Sequence, residues 1–397
     1  MIGRFTFQAP SNILFEPGAS RKIDELVAGY GAKRVMLVTD KGVRGAGLTR
    51  GAEASLAAAG VKLSVFDDVV ADPPSQVVEA AAAACRADQI ELVLSIGGGS
   101  ALDTAKLVAY LANTPDRLDD IYGVGLAKGK RLPLLLAPTT AGTGSEVTPI
   151  AIVTTPTTEK KGVVSPVLIP DWAILDPELT LGLPASVTAA TGIDAMVHAI
   201  EAYTSKVKKN PMSDQLARQA LGLLSANVRR VCRDGSDLEA RAQMLLGSML
   251  AGMAFANAPV AAVHALAYPI GAIFHVPHGL SNALVLRHVL EFNLQAAEAL
   301  YAELAEIVKP GLRGGQAERA RAFIDEMSAI GRDCQVPASL ADVGIGRDDL
   351  KKLAEDAMKQ TRLLVNNPRE LTLDDAYAIY SAAFGDGSNR YVQASHA

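Results

Sequence analysis

The chain has 397 residues, 49% of them hydrophobic and 20% charged, and its formal net charge is −5. This length allows two domains that each bury a core, and the composition is that of an ordinary globular protein. The mild acidity gives no basic excess that would favour a nucleic acid or an anionic membrane as a partner, so we expect neither.

The amino-terminal segment MIGRFTFQAPSNILFEPGAS lacks the charged and then apolar profile of a secretory signal. No apolar run is long enough and free enough of breakers to span a bilayer. The three cysteines, Cys85, Cys232 and Cys334, lie far apart without C-x-x-C spacing, which argues against a disulfide framework or a cysteine metal site. We therefore expect a cytoplasmic protein.

Short β-rich runs alternate with alanine-rich helical runs in the first part of the chain. RVMLVTD, KLSVFDDV and ELVLSIGGG predict strands, and LTRGAEASLAAAG and PSQVVEAAAAACRA predict helices. This alternation predicts a doubly wound parallel sheet, which RLPLLLAPTT and the hairpin-like AIVTTPTTEKKGVVSPVLIPDWAILD are expected to extend. From about Ala185 the pattern becomes helical, so we predict an α/β domain over residues 1–184 and an all-helical domain over residues 185–397.

A glycine-rich turn follows the strand predicted over ELVLSI. Ligands of open α/β sheets bind at the carboxyl ends of the strands. The backbone N–H groups of Gly97, Gly98, Gly99 and Ser100 could therefore bind a pyrophosphate at the start of the next helix. The alternative is a tight turn in which Ser100 caps the helix and Asp103 is its first-turn acid.

A second polar turn, APTTAGTGSEVT, follows the next predicted strand. Its Thr139, Thr140, Thr143 and Ser145 could line the same crevice. Asp40, at the end of RVMLVTD, could accept hydrogen bonds from an adenosine ribose, and its charge would repel a 2′-phosphate. Although the usual G-x-G-x-x-G spacing is absent, this carboxylate predicts NAD(H) rather than NADP(H). The alternative is that Asp40 only caps the following turn.

Four potential metal ligands occur in the helical half. Asp194 and His198 are four residues apart in ATGIDAMVHAIEAY and would share one helix face. His264 and His278 follow in AAVHALAYPIGAIFHVPHG. Imidazole and carboxylate without thiolate suit iron(II) or zinc(II). Because a single histidine on an apolar helix is usually a hydrogen-bonded core residue, spacing alone leaves both interpretations open.

Five motifs occur along the chain in this order: GGGSALDTAK, APTTAGTGSE, DPELTLGLP, ATGIDAMVHAIEAY and HALAYPIGAIFHVPHGLSNALVL. With them the chain resembles the iron-containing (group III) alcohol dehydrogenase family over essentially its whole length. The resemblance implies a Rossmann-like, doubly wound nucleotide-binding domain and a helical, dehydroquinate synthase-like metal-binding domain, with a catalytic metal in the cleft between them. It also implies a homodimer or a higher homo-oligomer.

The resemblance assigns the metal ligands to Asp194, His198, His264 and His278, in agreement with their spacing. It assigns the cofactor contacts to Asp40, Asp72, Gly98, Gly99, Ser100, Asp103, Thr139, Thr140, Thr148, Lys161 and Leu179. At Asp72 many members of the family have asparagine instead.

Another departure from the family concerns proton transfer. Many members have a histidine four residues after the ligand that corresponds to His264, and this chain has Tyr268 there. His275 is the nearest replacement, or it only hydrogen-bonds within its turn. Phe255, Val260, Tyr268 and His275 are also candidates to line the substrate pocket, with ordinary helix packing as the alternative.

These features imply a metal-dependent, NAD-linked alcohol dehydrogenase that transfers hydride reversibly between a small or medium alcohol and NAD. The implied metal is iron(II), with zinc(II) as the alternative. A polyol dehydrogenase and a dehydroquinate synthase-like lyase are rivals on the same fold. A phosphorylated lyase substrate would need a basic cluster near the metal, but Arg287 is the only cation in the sequence around His264 and His278. A non-catalytic nucleotide- or metal-binding protein is a remote rival, because no appended recognition module is evident.

Overall fold

The computed structural model describes residues 4–156 and 159–385 of the chain. It divides into two compact units. The first comprises Gln8–Leu183, and the second comprises residues 184–385 together with residues 4–7. Those first residues thus belong with the helical unit, although we placed them in the α/β domain. The assignment of nucleotide binding to one unit and metal binding to the other stays a prediction.

The first unit contains nine strands and five helices within the described residues. The strands are β1 (Asn12–Phe15), β2 (Arg34–Val38), β3 (Lys62–Phe66), β4 (Leu92–Gly97), β5 (Gly123–Val124), β6 (Leu134–Pro138), β7 (Ile150–Thr154), β8 (Lys160–Val164) and β9 (Trp172–Leu175). The helices are α1 (Ile23–Ala28), α2 (Lys41–Gly45), α3 (Arg50–Ala58), α4 (Ser75–Ala87) and α5 (Gly99–Leu111).

Six of the strands form one sheet in the order β1-β9-β6-β4-β2-β3, and every neighbouring pair is parallel. All residues of β4 and β6 are buried. Alternate residues of β4 enter different apolar clusters: Leu94 packs in one with Ile23, and Val93 packs in the other with Val108. Burial on both faces is typical of a parallel sheet covered by helices, so the predicted doubly wound sheet is confirmed.

The order of the strands indicates a binding crevice at the carboxyl ends of the central strands of this sheet. Strand β2 pairs with β3 on one side and with β4 on the other. The order in which strands are added to the sheet therefore reverses between β2 and β4. Ligands of such sheets bind at the carboxyl ends of the strands beside this switch point. Asp40 follows β2, and the three glycines of residues 97–99 lie at the end of β4 and the start of α5. Asp40 and the glycine-rich turn are therefore brought to the same place.

The predicted hairpin forms, but it does not extend the main sheet. Strands β7 and β8 are antiparallel and form a separate three-stranded sheet in the order β5-β8-β7. Buried and half-buried residues alternate along β7. Such alternation suits a sheet with one solvated face, whereas the strands of the main sheet are buried on both faces, so our expectation was wrong for β7 and β8. Strand β9, the last part of the same predicted segment, does join the main sheet between β1 and β6, as expected.

The second unit is helical, as predicted. Its helices are α6 (Ala185–Thr204), α7 (Pro211–Arg233), α8 (Leu238–Asn257), α9 (Ala262–Phe274), α10 (His278–Val308), α11 (Gln316–Asp333), α12 (Leu350–Ala357), α13 (Thr361–Leu364) and α14 (Leu373–Phe384). Helix α6 is central because it packs against α7, α8 and α10 and is buried without interruption from Gly192 to Thr204. Polar side chains on this helix are therefore removed from water.

Taken singly, none of the helices in the described part of the chain is long and apolar enough to cross a membrane. Helices α8 and α9, bent by 106° at the break between them, pass the test of length and composition only as a pair.

Candidate functional site

Three helices of the second unit bring four side chains together around one carboxylate oxygen. Asp194 and His198 lie one turn apart on α6, His264 lies in the first turn of α9, and His278 begins α10. From Oδ1 of Asp194, the distances to the Nε2 atoms are 3.9 Å for His198, 3.7 Å for His264 and 3.6 Å for His278. All three imidazoles thus lie near one carboxylate oxygen, and the ligand atoms of Asp194, His198 and His264 all lie within 4.8 Å of one another.

A glycine allows α10 to begin so close to α6. A Cβ atom at Gly279 would lie 2.4 Å from the carbonyl oxygen of Ala190 and 3.3 Å from Cβ of Asp194. Any side chain there would push the two helices apart. The glycine that follows His278 therefore helps to place this imidazole beside the carboxylate.

Aromatic rings hold the histidines in position. The ring of Phe255 stacks on His198 at 4.2 Å between centroids, and His198 stacks on His264 at 4.7 Å. Tyr268 meets His264 edge-on at 6.5 Å and lies 5.8 Å from the ring of His278. Such contacts restrict ring orientation. Two of the sequence candidates for the substrate pocket therefore contact the histidines themselves.

The other two candidates lie elsewhere. Val260 is only 8% exposed, and its carbonyl oxygen accepts a hydrogen bond from the Asn366 amide, which is a packing role. His275 is exposed, has a left-handed φ of 55° and ends α9, where its backbone N–H donates to Gly271. The structure gives no contact between the His275 ring and the four converging side chains.

Sequence reasoning missed two buried residues at this site. Glu201 Oε2 lies 2.6 Å from Nδ1 of His264, and the Asn282 amide nitrogen donates to Asp194 Oδ1 at 2.6 Å. The same nitrogen lies 3.3 Å from Nε2 of His264 and 3.4 Å from Nε2 of His278. Helical spacing could have revealed both, because Glu201 is three residues after His198 and Asn282 is four after His278.

The electrostatics of the cluster suit a cation. Burial raises the pKa of Asp194, but the three imidazoles and the Asn282 hydrogen bond outweigh it and lower the pKa overall. Oδ1 of Asn282 is buried without a hydrogen-bond partner in the described part of the chain. A set of three imidazole nitrogens and one carboxylate oxygen, with no thiolate, matches the donors that iron(II) and zinc(II) accept. The residues present therefore fit a divalent metal.

The crevice of the first unit has its own constellation. Oδ1 of Asp40 accepts a hydrogen bond from the backbone of Val43 at 2.9 Å, so one oxygen caps α2 as the alternative interpretation expected. Its other oxygen faces Gly97, 3.9 Å from where a Cβ would stand. A Cβ at Gly99 would lie 2.8 Å from Thr143 Cγ2. The two polar turns that the sequence singled out are therefore in contact.

The turn at the start of α5 is capped by backbone alone. Gly98, not Ser100, is the N-cap residue, and no side chain satisfies the first N–H groups of the helix. Thr139 donates its backbone N–H to Gly97 at 2.9 Å, and the Thr140 side chain lies near Gly98. This arrangement leaves N–H groups at the positive end of a helix, the setting in which proteins bind phosphate.

Several predicted cofactor residues make internal contacts instead. Asp103 accepts from the Ser145 hydroxyl at 2.5 Å and from the Ile152 N–H at 2.9 Å. The fully buried Lys106 donates to Ser145 at 2.8 Å and to Thr148 at 3.1 Å. These four side chains tie the second polar turn to α5.

Asp72 is paired with Lys160, a residue that the sequence analysis did not single out. Its carboxylate lies 2.7 Å from Nζ of Lys160, and its backbone N–H donates to Ser100 at 3.3 Å. Lys161 instead pairs with Glu159 at 3.8 Å. Neighbours on a strand point to opposite faces, so only one of the two lysines can reach Asp72. The strand pattern of β8 does not tell which of the two lysines this is, so sequence reasoning missed Lys160.

Leu179, the last predicted cofactor contact, lies in the hydrophobic core of the first unit and is 5% exposed. Its side chain is therefore a packing residue.

A parallel α/β unit with a phosphate-type turn and a helical unit with a three-histidine, one-carboxylate cluster define a class of metal-dependent, nucleotide-linked enzymes. Sequence families agree with that class. The iron-containing alcohol dehydrogenase family matches residues 10–177, and the carboxyl-terminal domain of the Fe-containing alcohol dehydrogenase family matches residues 188–384. The chain belongs to the iron-containing alcohol dehydrogenase family. The predicted family, fold class and oxidoreductase activity are confirmed.

Individual relatives span the whole chain. It is 40% identical over 392 residues to the long-chain-alcohol dehydrogenase 1 of Geobacillus thermodenitrificans, covering 96% of this chain and 97% of that protein. A crystal structure of 1,3-propanediol oxidoreductase superposes with a TM-score of 0.93 at 35% identity, covering 96% and 100%. Sulfoacetaldehyde reductase from Bifidobacterium kashiwanohense, solved in complex with NAD+, gives a TM-score of 0.86 at 29% identity, covering 97% and 100%.

One buried acid in the second polar turn makes stability depend on pH. Glu146 is 1% exposed, and its Oε1 atom has no hydrogen-bond partner among the described residues. Burial raises the pKa of Glu146 from 4.5 to about 7, although a backbone hydrogen bond and the charge of Lys106 act in the opposite direction. The folded protein therefore holds this proton more tightly than the unfolded chain.

We expect wild-type stability to fall relative to Glu146→Gln as the pH rises from about 4.5 to about 7, because folding then keeps a proton that the unfolded chain releases. The difference in unfolding free energy should change by about 3 kcal/mol and stay constant at higher pH. Urea unfolding at pH 4.5 and pH 8 measures it, with the exposed Glu79→Gln as control. A difference that does not vary with pH would show that Glu146 is ionised in the folded protein.

Proposed function

We propose that this enzyme interconverts small or medium primary and secondary alcohols with their aldehydes or ketones, using NAD(H) and iron(II), with zinc(II) as the alternative metal. The observation that carries the proposal is the convergence of three imidazoles on the buried oxygen of Asp194. A bound divalent cation makes an alcohol hydroxyl more acidic, and NAD accepts the hydride. Asp194, His198, His264 and His278 would hold the cation.

The glycine-rich crevice supports NAD as the cofactor. Gly98 is the N-cap residue of α5 and Gly99 is its first residue, and the helix has no side-chain cap, so the N–H groups of this turn suit a pyrophosphate. Asp40 keeps one oxygen beside Gly97 while the other caps α2, so it can cap and bind a ribose together. Lys160, which pairs with Asp72 beside Ser100, is a further basic residue near this crevice, and Lys161 stays a predicted cofactor contact. The NAD+ complex of the sulfoacetaldehyde reductase adds support from a relative.

The sequence around His264 and His278 lacks the basic cluster that a phosphorylated substrate of the rival lyase reaction would require. Arg287, the cation noted in the sequence, is engaged by Glu291 at 3.0 Å and Asp325 at 3.5 Å. The relatives are named for long-chain alcohols, 1,3-propanediol and sulfoacetaldehyde, so they indicate a carbinol or carbonyl substrate without fixing its size. Steady-state reduction of NAD across a panel of alcohols and diols tests the activity. A protein that reduces NAD with none of them would contradict it.

A cytoplasmic location and a homo-oligomer complete the proposal. The family resemblance supports the oligomer, as do the apolar side chains of Ile13 and Phe15, which are 40% and 39% exposed on the edge strand β1. Exposed apolar residues on an edge strand, which has a pairing partner on one side only, favour association with a second copy.

The variant His264→Ala should lose metal and turnover together, because removing one of four donors weakens the site by at least about a hundredfold. Metal analysis of protein purified without air, together with alcohol-dependent NAD reduction, measures both. His288→Ala is the matched control, since His288 is a partly buried histidine of α10 outside the cluster. If His264→Ala kept one metal per chain and normal turnover, the ligand assignment would be wrong.

Removing the charge of Asp40 should relax the preference for NAD(H) over NADP(H). Asp40→Asn keeps the cap of α2 but not the repulsion of a 2′-phosphate, so the ratio of kcat/KM values should shift toward NADP(H) by about tenfold or more. Asp40→Gly should shift it in the same direction with some loss of stability. A wild-type enzyme that already prefers NADP(H) would overturn this role of Asp40.

Proton transfer distinguishes His275 from Tyr268. If the His275 imidazole takes the alcohol proton, its loss should lower kcat by about a hundredfold with metal content intact, and Tyr268→Phe should have little effect. His275→Asn is the better variant, because asparagine tolerates the left-handed backbone at this position. Full activity in His275→Asn would show that His275 has only a structural role. A large loss of kcat in Tyr268→Phe would show that Tyr268 takes part in the transfer of the alcohol proton.

A further inference from the structure

We propose that Glu201 is a positioning residue of the metal centre, which selects the tautomer of His264 whose Nε2 lone pair faces Asp194. The inference rests on the proposed metal site, and it adds a residue that no ligand assignment contains. Glu201 lies on α6, one turn beyond His198, and is only 4% exposed. It does not reach the cluster oxygen itself but contacts the far side of one imidazole.

Both carboxylate oxygens of Glu201 have defined partners on α9. Oε2 lies 2.6 Å from Nδ1 of His264, and Oε1 accepts the backbone N–H of Val263 at 2.7 Å. Val263 is in the first turn of α9, and the N-cap residue Ala261 provides no side-chain cap. Glu201 therefore serves as a cap supplied by another helix, where the helix dipole also favours a negative group.

This double contact fixes the position of the imidazole proton. A carboxylate only accepts hydrogen bonds, so Nδ1 of His264 must carry the hydrogen, and in the neutral imidazole Nε2 then carries the lone pair. Nε2 is the nitrogen that lies 3.7 Å from Asp194 Oδ1. Because the backbone N–H of Val263 holds the other oxygen, the carboxylate cannot turn away without leaving a buried donor unpaired. Such partners orient metal-binding imidazoles and raise their affinity for the metal.

Glutamine at this position cannot reproduce the pattern, since it offers one acceptor and one donor group. If its oxygen accepts from Val263, its NH2 group faces Nδ1 of His264 and favours the tautomer with hydrogen on Nε2. That tautomer has no lone pair directed at Asp194. The reverse orientation sets two donors against each other at Val263. Glu201→Gln should therefore change the tautomer or disturb the cap, and either change weakens the metal site.

Two measurements test the inference. In metal-free protein labelled with 15N-histidine, long-range proton–nitrogen NMR correlations identify the tautomer of His264. The signals that are missing from the spectrum of His264→Ala are assigned to this residue. We expect hydrogen on Nδ1 in the wild type and on Nε2 in Glu201→Gln. Cobalt(II) titration against a competing chelator gives the metal affinity, which should fall by about 10–100-fold in Glu201→Gln. Glu326→Gln is the matched control, because Glu326 is also buried but pairs with Arg229 and Lys309.

The outcomes separate this inference from the proposed function. Wild-type protein with hydrogen on Nε2 of His264 would overturn the inference without any variant, as would a Glu201→Gln protein with unchanged tautomer and cobalt(II) affinity. Wild-type protein that binds no cobalt(II) would overturn the proposed metal site, and the tautomer comparison would still decide the role of Glu201. Thermal unfolding of both variants shows whether a lower affinity reflects a local change or a general loss of structure.

Discussion

A carboxylate buried in a protein is stable only if positive charge or hydrogen-bond donors replace the water it has lost. Asp194 is 1% exposed on the central helix α6, and three imidazoles and one amide are directed at its Oδ1 atom. A divalent cation would satisfy this arrangement because it attracts the Asp194 carboxylate and the lone pairs of the three imidazoles at once, while the Asn282 amide donates its N–H to the carboxylate. The geometry of the helical unit follows from the need to bring α9 and α10 to this one oxygen.

The surrounding residues make that approach feasible. Gly279 removes the side chain that would separate α10 from α6, and Glu201 ties the first turn of α9 to the same helix. Phe255 and Tyr268 hold the imidazole rings by stacking and edge contacts. Each of these residues acts on the position of a ligand rather than on the metal itself. A substitution among them is therefore expected to alter the affinity and orientation of the site before it alters the fold.

The sequence predicted the features that depend on local spacing. Asp194 and His198 could be placed on one helix face because their separation matches the helical period, and the glycine turn could be placed because it follows a buried strand. Contacts between distant segments were beyond this reasoning. The pairing of Lys160 rather than Lys161 with Asp72 depends on the face that β8 turns toward Asp72, which helical or strand propensity does not specify. The hairpin joined a second sheet for the same kind of reason, since strand patterns do not name their partners.

We propose that the helical unit binds one iron(II) ion through three imidazoles and one carboxylate. X-ray absorption at the iron edge, on protein loaded without air with one equivalent of iron(II), examines those ligands directly. Binding through these ligands predicts the multiple scattering of three imidazole rings, at least one oxygen neighbour and no sulfur neighbour. A sulfur neighbour, or a spectrum with the oxygen-only shell of loosely bound iron, would contradict it.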